Sequence, residues 1–255
     1  MTASVAALLG AIEGITEFLP ISSTGHLILA SSILGIPQTD FHKSFEIIIQ
    51  LGAICAVLAL YWKSFLNIEI LKRLTVAFIP TGIIGLALYS FIKTYLIGNE
   101  AVVLWALLLG GIALIVFEFL HKEKESATSD SAALTYTQSA FIGLFQAMAI
   151  VPGVSRSGAT ILGGLIVGLK RATIVEFSFL LAVPTMLAAT GFDLLKNASS
   201  FSESNITVLS VGFFSAFVVA IIAIKFLLRF VRTHTFIPFG IYRILAALVF
   251  WFMVF

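Results

Sequence analysis

Long apolar runs are the feature that most constrains how this chain can fold. Six of them have about the 20 residues that an α-helix needs to cross a bilayer. They lie at residues 44–62, 74–96, 101–120, 173–195, 207–228 and 236–254. Because 60% of the residues are hydrophobic and only 11% are charged, a soluble domain is excluded. The sequence predicts an all-α integral membrane protein with about six transmembrane helices in contact with membrane lipids.

Two further apolar segments are interrupted by prolines, glycines and polar residues. In the first, residues 5–34, the interruption runs from Pro20 to Gly25; in the second, residues 138–168, it lies in PGVSRSG at residues 152–158. Non-helical backbone at membrane depth is tolerated where it lines a cavity. We therefore predict two re-entrant broken helix pairs beside the six spans.

The two interrupted segments align with each other at an offset of 133 residues. Gly10 matches Gly143, Glu13 matches Gln146, Ser22 matches Ser155, Thr24 pairs with Ser157, and Gly25 matches Gly158. Each broken pair precedes three spans, and three is odd, so the second unit enters the membrane from the opposite side. The pattern predicts an inverted-topology repeat within a single membrane domain, residues 1–255, with its site at the repeat interface. Repeat one covers about residues 1–120, a loop residues 121–132, and repeat two about residues 133–255.

Charges in the loops predict the orientation. One side collects Lys63, Lys72, Arg73, Lys122, Lys124, Lys170, Arg171, Arg229 and Arg232, against Lys43, Lys93 and Lys196 on the other. Basic loops stay in the cytoplasm, so the loops near residues 35–43, 94–100 and 194–206 are expected outside. A cysteine introduced at Ser126 should react from the cytoplasm, and one at Ser202 from outside. The net charge of +2 is too small to indicate a nucleic-acid partner.

The first interruption is unusually rich in polar groups, since Glu13 to His26 reads EGITEFLPISSTGH. Glu13 and Glu17 are four residues apart, so they share a helix face and repel each other unless a divalent cation, a shared proton or a cationic neighbour intervenes. Alone, such a pair is usually a solvated helix face, and Ser-Ser-Thr-Gly is usually a helix cap. Inside a membrane, ionisable residues are functional candidates. Glu46 and Gln50 either face the same site or belong to an interfacial helix start.

Arg156 is the centre of the second interruption. A buried arginine needs a partner, and its planar fork suits a phosphate. The backbone N–H groups of the flanking serines and glycines, at a helix start, suit an oxyanion. A structural salt bridge to Glu13 or Glu17 is the alternative, and both hold together when no ligand is bound.

Together the two interruptions supply carboxylates, an arginine, hydroxyls and a histidine to one membrane cavity. Carboxylates bind Mg²⁺ or Ca²⁺, which bridge phosphates, and a serine or histidine can attack phosphorus. The chemistry indicated is phosphoryl transfer to water on a substrate whose tail lies in lipid. A transporter or flippase of an anionic lipid, alone or in addition to hydrolysis, uses similar broken helices and stays open at this point.

The motifs EGITEFLPISSTGH and PGVSRSG closely resemble those of the undecaprenyl-pyrophosphate phosphatase family, the bacitracin-resistance type of bacterial inner membranes. The resemblance extends over nearly the whole chain. It implies hydrolysis of undecaprenyl diphosphate to the monophosphate, which recycles the lipid carrier for peptidoglycan and other cell-wall polymers. It also implies a requirement for a divalent metal and a site that opens to the outer face. We also expect a homodimer as one form of the protein.

The family's motifs give a set of expected site residues. They are Glu13 and Glu17 for the metal and catalysis, Ser23, His26 and Arg156 for catalysis, and Ser22, Thr24, Ser155, Arg156, Ser157 and Thr160 for the substrate. We predict that Ser23 is the nucleophile and that His26 is its base or proton relay. Attack by His26 itself, or by water, is left open.

Overall fold

The computed structural model of the chain describes residues 1–37, 39–96, 98–123, 127–197 and 206–254. Within these ranges the chain forms α-helices and no β-strand, which confirms the all-α prediction. The helices are α1 (Ala3–Thr16), α2 (Ser23–Ile33), α3 (Asp40–Tyr61), α4 (Ile68–Phe91), α5 (Glu100–Leu120), α6 (Tyr136–Met148), α7 (Arg156–Ile166), α8 (Arg171–Asn197), α9 (Ile206–Phe230) and α10 (Ile237–Val254). Ser126 and Ser202, the two positions of the labelling prediction, lie outside the described residues.

Five helices are long and apolar enough to cross a membrane, namely α3, α4, α5, α8 and α9. The last predicted span corresponds to α10, a shorter apolar helix of 18 residues. The chain is therefore a multi-pass membrane protein. Helix α4 begins at Ile68, earlier than the predicted residue 74, because Asn67 caps it. The Asn67 side chain accepts hydrogen bonds from the backbone N–H groups of Glu69 (2.9 Å) and Ile70 (3.4 Å).

Both interrupted segments form broken helix pairs, as predicted. Helix α1 ends at Thr16 and α2 begins at Ser23, whereas α6 ends at Met148 and α7 begins at Arg156. The longest of these four helices has 14 residues. A helix of that size is about 21 Å long, shorter than the ~30 Å hydrocarbon core. Their re-entrant course and the inverted orientation of the repeats stay predictions.

The two breaks have the same local geometry. Ser22 and Ser155 precede α2 and α7 with φ angles of 71° and 79°, and no other described non-glycine residue has a positive φ. The hydroxyl of Ser22 accepts a hydrogen bond from the Gly25 N–H (3.4 Å), and that of Ser155 accepts one from the Gly158 N–H (3.1 Å). These pairs are 133 residues apart, so the offset found in the sequence is matched by equal backbone geometry.

The first helix of each broken pair packs against a span of the other half of the chain. Helix α1 packs on α9, and α6 packs on α4. A side chain at Gly10 would collide with the Gly212 carbonyl on α9, and one at Gly143 would collide with the Ala77 carbonyl on α4. The matched glycines thus permit equivalent close contacts between helices. Because each of these helices packs against the other half of the chain, the two breaks lie next to each other.

Candidate functional site

A cavity of about 250 Å³ lies between the two breaks. The first break contributes Glu17, Ser22, Ser23 and Thr24; the second contributes Ala149, Ile150, Val151, Pro152, Gly153, Ser155 and Arg156; and the surrounding helices contribute Gln50, Thr81, Gln146, Thr185, Met186 and Ala189. Six of the residues predicted for the site therefore line one cavity. Gln50 faces it as well, whereas Glu46 lies against His42 at 3.3 Å.

Arg156 joins the two breaks through Glu17. Its Nη2 group donates to Oε1 of Glu17 at 3.0 Å, and its Nη1 group donates to the backbone carbonyl of Ser178 at 2.8 Å. Both members of the ion pair are mostly buried. The Nε–H group of Arg156 is also buried and has no hydrogen-bond partner in the described part of the chain. One guanidinium donor is therefore available for a bound group.

The second carboxylate oxygen of Glu17 accepts a hydrogen bond from the hydroxyl of Ser23. The backbone explains this approach. The N–H of Glu17 still bonds to the Glu13 carbonyl (2.9 Å), so Glu17 continues the last turn of α1 while Ser23 opens α2. A carboxylate and a hydroxyl from either side of one break thus meet. Such contact lets the carboxylate take the proton of a hydroxyl nucleophile.

His26 does not form the predicted pair with Ser23. Its Nδ1 atom lies 2.7 Å from the Ser22 carbonyl, and its Nε2 atom lies 2.7 Å from the Tyr242 hydroxyl. Both ring nitrogens are occupied, and the described lining of the cavity does not include His26. The sequence could not reveal this, because Tyr242 lies on α10, far from the motif along the chain.

Glu13 is fully buried one helical turn before Glu17. Neither of its carboxylate oxygens has a hydrogen-bond partner among the described residues. Within the described ranges no group of three or more His, Cys, Asp or Glu side chains could hold a metal ion by itself. The two carboxylates, one of them without partners, fit a hard cation that takes its other ligands from water and phosphate, as Mg²⁺ commonly does.

Ser157 and Thr160 lie behind the cavity, where they fasten the second break. The Ser157 hydroxyl donates to the Leu19 carbonyl at 2.8 Å. The Thr160 hydroxyl lies 3.0 Å from the Arg156 carbonyl and 2.6 Å from the Ser178 hydroxyl. Of the predicted substrate contacts, Ser22, Thr24, Ser155 and Arg156 face the cavity and these two do not.

Arg243 on α10 is not among the site residues predicted from the sequence, although a charge within an apolar run indicates a functional or structural role. It is only 1% exposed. Its five N–H groups donate to the carbonyls of Pro20, Ala106, Leu107, Gly153 and Val154 at 2.9–3.3 Å. One side chain therefore ties α10 to both breaks and to α5.

A glycine makes room for this arginine. Gly110 on α5 lies against the Arg243 guanidinium, and a Cβ atom there would overlap it.

Comparison with known proteins identifies the family. The family described as bacitracin resistance protein BacA matches residues 6–249. A protein of Sulfurihydrogenibium sp. (strain YO3AOP1) named undecaprenyl-diphosphatase is 53% identical over 251 residues, 98% of this chain and 99% of that protein. A protein of the same name from Aquifex aeolicus is 53% identical over 98% of both chains. Another, from Wolinella succinogenes, is 53% identical over 97% of this chain and 96% of the relative. The chain therefore belongs to the bacitracin resistance protein BacA family.

Proposed function

We propose that this protein hydrolyses undecaprenyl diphosphate to undecaprenyl phosphate and inorganic phosphate. The observation that carries the proposal is the contact of Glu17 with both Ser23 and Arg156 at the meeting point of the two breaks. It combines a nucleophile, a base and a phosphate-binding cation in one cavity. The names of the relatives agree with this activity, and they give no support to a transporter or flippase.

Ser23 is the proposed nucleophile, with Glu17 in the role of base that the sequence had suggested for His26. The Ser23 oxygen bonds to the terminal phosphorus while the anhydride bond breaks, and its proton moves to the Glu17 carboxylate to which it is already hydrogen-bonded. Undecaprenyl phosphate leaves. Water then attacks the phosphoserine, and the released serine oxygen regains a proton from Glu17.

The diphosphate would bind at the starts of α2 and α7. The first N–H groups of a helix have no partner within the helix and attract anions. Ser22, Thr24 and Ser155 add hydroxyls at the same place. Arg156 supplies charge, and its buried, unpartnered Nε–H group gains an acceptor when a phosphate oxygen arrives.

Glu13 and Glu17 would hold the divalent metal, Mg²⁺ or Ca²⁺. A cation at this position supplies charge neutralisation for the phosphate oxygens. The buried, unpartnered carboxylate of Glu13 supports this assignment, since such a group otherwise bears the full cost of desolvation.

An apolar groove adjoins the polar cavity and supports a lipid substrate. It has a volume of about 550 Å³ and shares Val151 with the cavity. Met148 and Val154 of the second break form one side, and Trp105 and Leu109 of α5 form the other. A diphosphate head in the cavity could therefore extend its prenyl chain along the groove, as an amphiphilic substrate requires.

The site would open to the outer face of the bacterial inner membrane, in line with the distribution of basic residues among the loops. Its product returns the lipid carrier to cell-wall synthesis, and its activity accounts for resistance to bacitracin. The homodimer stays a prediction, which light scattering of the purified protein in detergent tests.

Phosphate release from undecaprenyl diphosphate by the purified protein in detergent tests the proposed function. We expect turnover by the wild type, loss of turnover with excess EDTA, and loss in Ser23→Ala and Glu17→Gln. Ser64→Ala, a peripheral serine in the short helix Ser64–Leu66, is the matched control and should keep wild-type activity. Full activity in EDTA would refute the metal, and no hydrolysis by the wild type would refute the function.

A further inference from the structure

The environment of His26 defines its protonation. The Ser22 carbonyl can only accept a hydrogen bond, so Nδ1 of His26 carries a hydrogen and donates it. The His26 ring is itself mostly buried, and burial disfavours a positive charge on it. The imidazole is therefore neutral, its Nε2 atom is an acceptor, and the Tyr242 hydroxyl donates to it. The two rings are nearly parallel, with 8° between their planes.

The second repeat makes the same turn without a histidine. Ala159 is the residue equivalent to His26 at the offset of 133 residues. Ser155 nevertheless has a φ angle of 79° and caps α7 through Gly158, as Ser22 caps α2. The His26–Tyr242 pair is therefore not needed to form the turn. It is specific to the break that carries Ser23.

The hydrogen bond from His26 controls the orientation of the peptide between Ser22 and Ser23. Its carbonyl accepts from Nδ1 of His26 at 2.7 Å and from the His26 N–H at 3.3 Å. The peptide is trans, so its N–H, which belongs to Ser23, points the opposite way from the carbonyl. Ser23 lines the cavity. Holding the carbonyl therefore fixes the direction of the Ser23 backbone N–H group at the edge of the cavity.

We propose that Tyr242 and His26 are positioning residues: Tyr242 fixes the Nδ1–H tautomer of His26, and His26 fixes the peptide that presents Ser23. In this role His26 neither takes the proton of Ser23 nor attacks phosphorus. The inference rests on the proposed phosphatase function for its kinetic test, but the hydrogen-bonded pair can be tested without turnover.

Nitrogen NMR of the protein labelled in its histidine rings tests the pair directly. We expect His26, assigned by the signal that disappears in His26→Asn, to be neutral with hydrogen on Nδ1. Tyr242→Phe should shift its Nε2 resonance, whereas Tyr95→Phe should not. Tyr95 is an exposed tyrosine that contacts Phe91 through its ring, which phenylalanine keeps. Hydrogen on Nε2 of His26, or no effect of Tyr242→Phe, would overturn the proposal.

Kinetics separate positioning from acid–base catalysis. The asparagine amide can still donate to the Ser22 carbonyl but cannot act as a base, so His26→Asn should keep kcat/KM within about tenfold of wild type, the scale of one altered hydrogen bond. Removing a general base costs about 10²- to 10⁴-fold. A loss of that size in His26→Asn, with unchanged thermal unfolding, would overturn the positioning role.

A double-mutant comparison completes the test. Tyr242→Phe should lower kcat/KM about threefold to tenfold in the wild type, as expected for one lost hydrogen bond, and should have no further effect in His26→Asn, which has no Nε2 atom. Equal losses in both backgrounds would show that Tyr242 acts independently of His26 and would overturn the pair. If the wild type releases no phosphate, the proposed function fails, while the NMR result still decides the tautomer.

Discussion

Arg156→Lys perturbs the single residue that connects both breaks to the proposed substrate. The guanidinium bonds at once to Glu17 Oε1 (3.0 Å) and to the Ser178 carbonyl (2.8 Å), and its Nε–H group is left for the diphosphate. A lysine ammonium keeps the charge but is a point donor. It cannot reproduce the planar fork that holds a protein partner and a phosphate oxygen together.

The magnitude follows from the burial of the contact. Truncating one partner of a buried, hydrogen-bonded charge pair costs about 2–5 kcal/mol. At roughly 1.4 kcal/mol per factor of ten, kcat/KM should fall by about 30-fold to several thousand-fold. Arg232→Lys, an exposed arginine beyond the end of α9, is the matched control and should change kcat/KM by less than about threefold.

Phosphate release and thermal unfolding are measured on the same preparation of each variant. We expect near-normal unfolding with collapsed turnover in Arg156→Lys, because the lysine still pairs with Glu17. If Arg156 served only to hold Glu17, the variant would unfold at a lower temperature while its folded fraction kept wild-type kcat/KM. That combination would refute the phosphate-binding role.

Three further predictions concern packing, the lipid groove and orientation. Gly110→Ala should lower the free energy of unfolding by about 1–3 kcal/mol, because the added methyl group overlaps the buried guanidinium of Arg243. In the control Gly82→Ala, the added methyl group makes ordinary contacts at 3.6 Å and should not lower the unfolding temperature in detergent. Ala113→Phe, in the groove, should raise KM about tenfold for the C55 diphosphate and little for a C15 diphosphate. In a background lacking the native cysteine, Lys63→Cys should react with an impermeant thiol reagent only from the cytoplasm, and Thr94→Cys only from outside; the reverse would overturn the orientation.

The breaks and most cavity residues were predictable because their signals are local. Prolines and glycines inside apolar segments mark where a helix stops, and ionisable groups in such segments mark a site. These signals identified Glu17, Ser23 and Arg156, which the structure brings into contact. Ser22 and Ser155, which match each other in the sequence alignment of the two breaks, also have similar backbone geometry.

The partner of each polar group was not predictable, because it depends on contacts between distant segments. His26 follows Ser23 closely in sequence, yet its ring bonds to Tyr242 on the last helix. Ser157 and Thr160 belong to the same motif as Arg156 but use their hydroxyls to fasten the break. Residue types near a motif suggest the chemistry, whereas only packing decides which of them reaches the substrate.

The measurement that tests the central claim most directly is trapping of the covalent intermediate. Purified protein is mixed with undecaprenyl diphosphate, quenched within the first turnover under acid and under alkaline conditions, and its peptides are analysed by mass spectrometry. Because the Ser23 hydroxyl is hydrogen-bonded to Glu17 and Ser23 lines the cavity, we expect an acid-stable phosphate on Ser23. The same experiment with Ser23→Ala should give no phosphorylated peptide. An alkali-stable, acid-labile phosphate on His26, or a burst of undecaprenyl phosphate with no phosphate on Ser23, would contradict the account.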